Sequence, residues 1–229
     1  MRIRADNLQL AGFFQVFGRS SLDGAAPATG QFQQAVFTRV IHGPRAYRRL
    51  PATTHLSLVN PNQESVEVLL RLGQGPLAPL ARSRTITVKP EGFLFQSVAD
   101  LFEIEGTYEG SVVVEVVEGP GLVGFQLIEI DGGETLIGWN PAHQSTAVRL
   151  YSAQAASGTD LFTNLKLFNT ASESRQLALE FRRDDGELVG EAVELAVGSG
   201  EEIQEDIRIL CGLPRTGASN TSSADPVTG

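Results

Sequence analysis

Side chains that could hold a metal, attack a substrate or grip a sugar are few in this chain of 229 residues: three histidines, one cysteine, one tryptophan and three tyrosines. Histidines share a metal ion when they sit one helical turn apart or alternate on a strand. His42, His55 and His143 do neither. His42 precedes the turn Gly43-Pro44, His55 sits in a strand beside Leu56 and faces outward, and His143 follows Asn140-Pro141-Ala142 in a link. All three read as solvated or turn histidines. Cys211 lies in the apolar context ILCGL. A catalytic thiol needs a histidine and a carboxylate or carboxamide beside it, and nothing in the sequence places them, so Cys211 reads as a small buried hydrophobe. One cysteine makes neither an intrachain disulfide nor a cysteine-based metal site. No G-x-S-x-G occurs. Asp184-Asp185-Gly186-Glu187 carries carboxylates but lacks the spacing of a calcium loop and reads as a polar hairpin tip. Glu201-Glu202 and Glu205-Asp206 read as a solvated acidic edge. The expectation is no catalytic residue, no metal, no cofactor and no enzyme.

Sugar recognition is the alternative. Carbohydrate-binding sandwiches stack exposed aromatic rings on sugar faces. Trp139, Tyr47, Tyr108 and Tyr151 do not alternate along one strand. Trp139, in GWNPA, is the one candidate ligand-binding residue for a polysaccharide partner; its competing role is packing at a junction.

The net charge of −9 speaks against general nucleic-acid binding, and it is unevenly spread. Residues 1–60 hold seven arginines and two aspartates, net +5; residues 61–146 are net −8 and residues 147–213 net −6. No run of about 18 apolar residues predicts a membrane span. The opening MRIRADNLQLAGFF has neither the apolar core nor the small-residue cleavage site of a secretory leader.

The elements that would position these side chains are strands. Val66, Val68, Leu70 and Leu72 alternate with Glu67, Leu69 and Arg71; Ile86 and Val88, then Val112, Val114 and Val116, then Leu177, Leu179 and Phe181, then Val193, Leu195 and Val197 do the same. Asn60-Pro61-Asn62, Glu118-Gly119-Pro120-Gly121, Asp131-Gly132-Gly133 and Asp185-Gly186 punctuate them with turns. Single helical turns are predicted at Val98–Phe102 and, more weakly, at 207–211.

The strands are written more than once. Residues 54–60 read THLSLVN and residues 163–169 read TNLKLFN. At that offset of 109, Val68, Leu70 and Leu72 fall on Leu177, Leu179 and Phe181; Ile86 and Val88 fall on Leu195 and Val197; Val98 and Leu101 fall on Ile207 and Leu210. Leu10-Ala11-Gly12-Phe13 matches Leu122-Val123-Gly124-Phe125, and Leu22, Gly24, Pro27 and Ala28 match Leu136, Gly138, Pro141 and Ala142. Inward positions agree while outward ones differ, as expected of copies of one core.

The expected fold class is therefore all-β: tandem Ig-like antiparallel β-sandwich repeats of about 110 residues. Residues 1–34 form the C-terminal hairpin segment of a partial repeat, 35–142 a complete repeat, 147–213 a partial repeat without the hairpin matching residues 110–130, and 214–229 a disordered polar tail.

The runs TTHLSLVNPNQESVEVLLRL and GSVVVEVVEGPGLVGFQLIEIDGGETLIG resemble tandem Ig-like or fibronectin-like repeats of secreted bacterial surface proteins. That resemblance implies an extracellular or cell-surface, non-enzymatic spacer, adhesion or assembly module. Leu213-Pro214-Arg215-Thr216-Gly217 fits L-P-x-T-G and resembles the motif at which sortase cleaves between Thr and Gly. The residues after it, ASNTSSADPVTG, are polar, where that signal has an apolar stretch and a basic tail.

The expected partners are other copies of the chain or neighbouring sandwich repeats. A sandwich without its last hairpin exposes a strand edge, and the chain holds a spare hairpin whose Ile3, Leu8, Leu10, Phe13, Phe14, Val16 and Phe17 a lone ribbon cannot cover. Ile3, Leu10, Phe13, Phe14, Val16 and Phe17 are the candidate assembly-interface residues. A basic front and an acidic rear favour head-to-tail encounter; completion of residues 147–213 by residues 1–28 of the same chain, or a hairpin that simply extends the middle sandwich, are the milder variants.

Overall fold

A computed structural model describes residues 14–17, 19, 22–25, 30–73, 82–143, 163–169, 171–182 and 186–210. The chain divides into two units, Met1–Ser145 and Thr146–Gly229.

The first unit holds strands β1 (Phe14–Phe17), β2 (Leu22–Ala25), β3 (Gln34–Tyr47), β4 (Leu50–Val59), β5 (Val66–Leu72), β6 (Ser83–Val88) and β7 (Phe93–Ser97). The helical turn α1 (Val98–Phe102) follows, then β8 (Tyr108–Glu118), β9 (Val123–Ile130), β10 (Thr135–Trp139) and the short β11 (Ala142–His143). Every pairing is antiparallel.

β3 is the hinge of the arrangement. Its first part pairs with β8, which pairs with β5, which pairs with β6; its last part pairs with β4. β4 in turn carries β7 on one edge and β9 on the other, and β10 closes on β9. An extra residue between Phe37 and Val40 shifts the register against β8. Such a bulge bends a strand, which lets β3 serve both groups. Where β3 and β4 meet, buried Thr54 stands in for part of the ladder: its Oγ1 accepts from Ile41 N at 2.9 Å and donates to Ile41 O at 3.0 Å.

The alternating apolar positions converge on one core. Leu56 and Leu58 of β4 pack in the same cluster as Val66, Val68, Leu70 and Leu72 of β5 and Val112 and Val114 of β8, with Val98, Leu101 and Phe102 of α1. Two strand groups facing each other across such a core fit a β-sandwich. The helical turn predicted at 98–102 is present. Ser97 caps it by accepting from Asp100 N at 3.0 Å, and at its far end Arg84 and Arg82 donate to the carbonyls of Leu101 (2.7 Å) and Glu103 (2.6 Å), where cations complement the helix dipole.

The second unit holds β12 (Asn164–Phe168), β13 (Arg175–Leu179), β14 (Val193–Val197), β15 (Glu202–Asp206) and the turn α2 (Ile207–Leu210). β12 pairs with β15 and β13 with β14, both antiparallel. Asp206 occupies the cap position of α2, its Oδ1 accepting from Arg208 N at 2.9 Å.

Candidate functional site

The turn Asn60-Pro61-Asn62 turns out to be a clasp. The Asn60 carboxamide is fully buried. Its Nδ2 donates to the carbonyls of Glu64 (2.7 Å), Val88 (3.1 Å) and Lys89 (3.0 Å), and its Oδ1 accepts from Asn62 N at 3.0 Å. Its backbone N–H donates to Gly92 O at 2.9 Å. One side chain thus ties the β4–β5 turn to the β6–β7 turn. Asn169 repeats every one of these bonds 109 residues later. Its Nδ2 donates to Glu173 O (2.8 Å), Val197 O (2.9 Å) and Gly198 O (3.0 Å), its Oδ1 accepts from Ala171 N at 3.0 Å, and its N–H donates to Glu201 O at 3.0 Å.

The ladders repeat with it. His55 lies opposite Ser97 and Val59 opposite Phe93 in β4–β7; Asn164 lies opposite Asp206 and Phe168 opposite Glu202 in β12–β15. Val66 lies opposite Val88 in β5–β6, and Arg175 opposite Val197 in β13–β14. Each pair is the other shifted by 109.

The flanks differ. In the first unit the remaining edge of β4 is taken by β9 and that of β5 by β8, two strands joined by one turn. Among the described residues no strand takes the corresponding edges of β12 and β13. Open edges of this kind accept an added strand.

The N-terminal hairpin has the shape of a strand pair that does occupy such an edge. Phe14 lies opposite Ala25, Gln15 opposite Gly24, Val16 opposite Asp23 and Phe17 opposite Leu22. In β9–β10, Gln126 lies opposite Trp139, Leu127 opposite Gly138, Ile128 opposite Ile137 and Glu129 opposite Leu136. The first strand carries over at an offset of 112 and the second at 114, the offsets at which the letters match. Within its own unit β2 runs beside β10, and Arg19 links the two hairpins through its N–H to Gly133 O at 3.3 Å and its guanidinium to Glu134 at 3.4 Å. The hairpin therefore sits at the β10 side of the first unit, as the simple extension of the middle sandwich predicts.

Of the candidate assembly residues, Phe14, Val16 and Phe17 lie in β1; Ile3, Leu10 and Phe13 lie outside the described residues. So do Cys211, Asp184, Asp185, Tyr151, the LPRTG motif and the tail 214–229. Trp139 has one neighbour that bears on sugar stacking: the Arg39 guanidinium lies 5.7 Å from its ring and 5.3 Å from that of Tyr47, and Arg48 lies 5.6 Å from Tyr47 on the same hairpin. These are cation–π distances, so Trp139 packs against charge within its own unit.

His42 Nδ1 is 3.1 Å from Thr53 Oγ1. Burial pushes its pKa below the usual histidine value, partly offset by the charge of Asp100. His55 lies on the outer side of β4 but is not the solvated histidine expected: its side chain is only 20% exposed and stacks on Phe95 at 5.4 Å. Its Nε2 comes within 3.3 Å of Glu129 without the alignment of a hydrogen bond.

That stack belongs to a surface the sequence reading missed. Phe93, Val59 and Val123 form one row across β7, β4 and β9; Phe95, Ser57 and Phe125 form another. Phe93 is 74% exposed and Phe95 52%. In the second unit the β15 residues 109 positions on are Glu202 and Gln204, and Glu202 pairs with Lys166 at 2.9 Å.

No protein-family model matches the chain, and no curated protein does. Among solved structures, the crystal structure of Thermotoga maritima 1070 is similar over 51% of this chain and 97% of its own, at 13% identity and a TM-score of 0.41, a level that carries no argument.

Proposed function

We propose that this chain is a non-enzymatic structural module that assembles with further copies of itself by strand complementation. The first unit is a complete sandwich repeat. The second is a copy of the same design whose open edges receive a hairpin. The carrying observation is the identical pair of ladders and the identical asparagine clasp 109 residues apart, flanked by β8 and β9 in one unit and by no described strand in the other. Opposite charge supports the reading: a front of net +5 meets a rear of net −6. Such a head-to-tail contact is heterologous, giving a ring if its rotation closes and a filament if it does not. The Ig-like character of the repeats and an extracellular or cell-surface setting belong to the same proposal and rest on the sequence resemblance. Polysaccharide binding at Trp139 is the weaker reading, since Arg39 already lies against that ring.

The test is mass against concentration for the full chain by light scattering. The expected result is a mass that rises above the 24.6 kDa of one chain and falls back as salt screens the charges. A mass fixed at one chain throughout overturns assembly.

A further inference from the structure

The two offsets, taken together, fix which backbone should meet which. In the first unit β4 and β9 pair with Leu56 opposite Gln126 and His55 opposite Leu127. β12 is β4 shifted by 109, because its pairing with β15 reproduces that of β4 with β7 residue by residue. β1 is β9 shifted by 112, because its pairing with β2 reproduces that of β9 with β10. Each of these two strands has one edge occupied in the way its counterpart has. Each also keeps, among the described residues, no strand on the edge by which β4 and β9 join. The partner that fits the open edge of β12 is thus the element this chain carries at its own front.

We infer that β1 of a second copy pairs antiparallel with β12, placing Phe14 opposite Leu165 and Gln15 opposite Asn164. This rests on the assembly reading and deepens it by naming the strand, its direction and its register. Register is the discriminating feature. A slip by one residue turns every side chain to the opposite face. It would bring Phe14 opposite Lys166 or Asn164 in place of Leu165, whose counterpart Leu56 is fully buried.

Directly opposed Cα atoms of an antiparallel pair lie about 4.5–5.5 Å apart, within the span a disulfide bridges. With Cys211→Ser as background, chains carrying Phe14→Cys are mixed with chains carrying Leu165→Cys and oxidised mildly. A second mixture carries Gln15→Cys and Asn164→Cys. A control mixture carries Phe14→Cys and Lys166→Cys. Circular dichroism and light scattering check that each variant keeps the fold and mass of the parent. The expected result is a covalent two-chain product in the first two mixtures, at least tenfold above the control. Equal yields in all three overturn the register, and no product from folded variants overturns the pairing between copies. A chain holding both Phe14→Cys and Leu165→Cys separates the remaining case. If it closes on itself while the mixtures give nothing, the register stands and assembly between copies falls.

Discussion

The two units carry the same ladders and bury them differently. Leu56, Leu58, Val68 and Leu70 are fully buried in the first; Leu165, Leu167, Leu177 and Leu179, 109 residues on, are half-buried. Val88 and Val197 are buried in both, as are Val98 and Ile207, which sit beside the clasp and the helical turn. Pairing and register are thus local properties, set by turns and by one asparagine. Burial of the strand centres is supplied from outside, by β8, β9 and β3. Among the described residues, the second unit shows the ladders without such strands beside them.

Core truncation should split the units most widely. Leu70→Ala should destabilise the first unit by about 2–5 kcal/mol, the usual toll of a cavity in a closed core, read from urea unfolding followed by Trp139, the single tryptophan. Leu179→Ala should cost less at high dilution, read from far-ultraviolet dichroism, and approach the Leu70 value as concentration rises and second copies close the layer. A concentration-independent cost would break the comparison.

The clasps come next. Asn60→Ala strands the carbonyls of Val88 and Lys89 and should cost about 1–3 kcal/mol; Asn169→Ala should cost a similar amount within its own unit. If hydrogen exchange of the β13–β14 amides is unchanged in the second variant, the two clasps are not equivalent.

A smaller effect of opposite sign belongs to the first unit alone. Arg48 and Arg49 form the β3–β4 turn at φ 49° and 69°, a conformation that suits Asn and Gly and strains a long side chain. Replacing the pair by Asn-Gly should raise the unfolding midpoint by the equivalent of about 1 kcal/mol.

Acid should separate the units least. His42 has a lowered pKa when folded, so the unfolded chain takes up its proton first. Stability from this residue is undiminished above the unfolded value near 6.5 and declines as pH falls below it. The first unit of His42→Gln should lose less stability between pH 7 and 5 than the parent, measured by the same Trp139 transition; an equal loss would remove His42 from the account.

Period-two patterning made the inner face legible. Val66, Val68, Leu70 and Leu72 are buried where alternation placed them, and positions matched at the offset of 109 occupy matching places in the ladders. The clasp was not legible. Asn60-Pro61-Asn62 reads as any turn, and the carbonyls it binds lie 28 and 29 residues away. The outer aromatic face was hidden for a different reason: Phe93-Leu94-Phe95 is apolar on both sides, so alternation assigns neither. The bend in β3 depends on one extra residue that no turn signal marks. The hairpin was half legible, since Leu10-Ala11-Gly12-Phe13 echoes Leu122-Val123-Gly124-Phe125, but its place beside β10 is a tertiary fact. At Gly124 itself a Cβ would meet the rings of Phe37 and Phe32 at 3.0 and 3.1 Å.

The clasp also sets an order in time. Asn60 fastens β5–β6 inside the interval that β4 and β7 close, so these two pairings nest like one parenthesis within another. Short intervals close with little loss of chain entropy, and contacts far apart in sequence form late. β5–β6 should zip first, β4–β7 should close around it, and β8 and β9 should arrive last on a platform already fastened at one end. Amide protection appearing in that sequence during refolding would record it. In the second unit the inner and outer parentheses recur, β13–β14 within β12–β15, with Asn169 as the clasp. The same nested order, inner pairing before outer, is expected there.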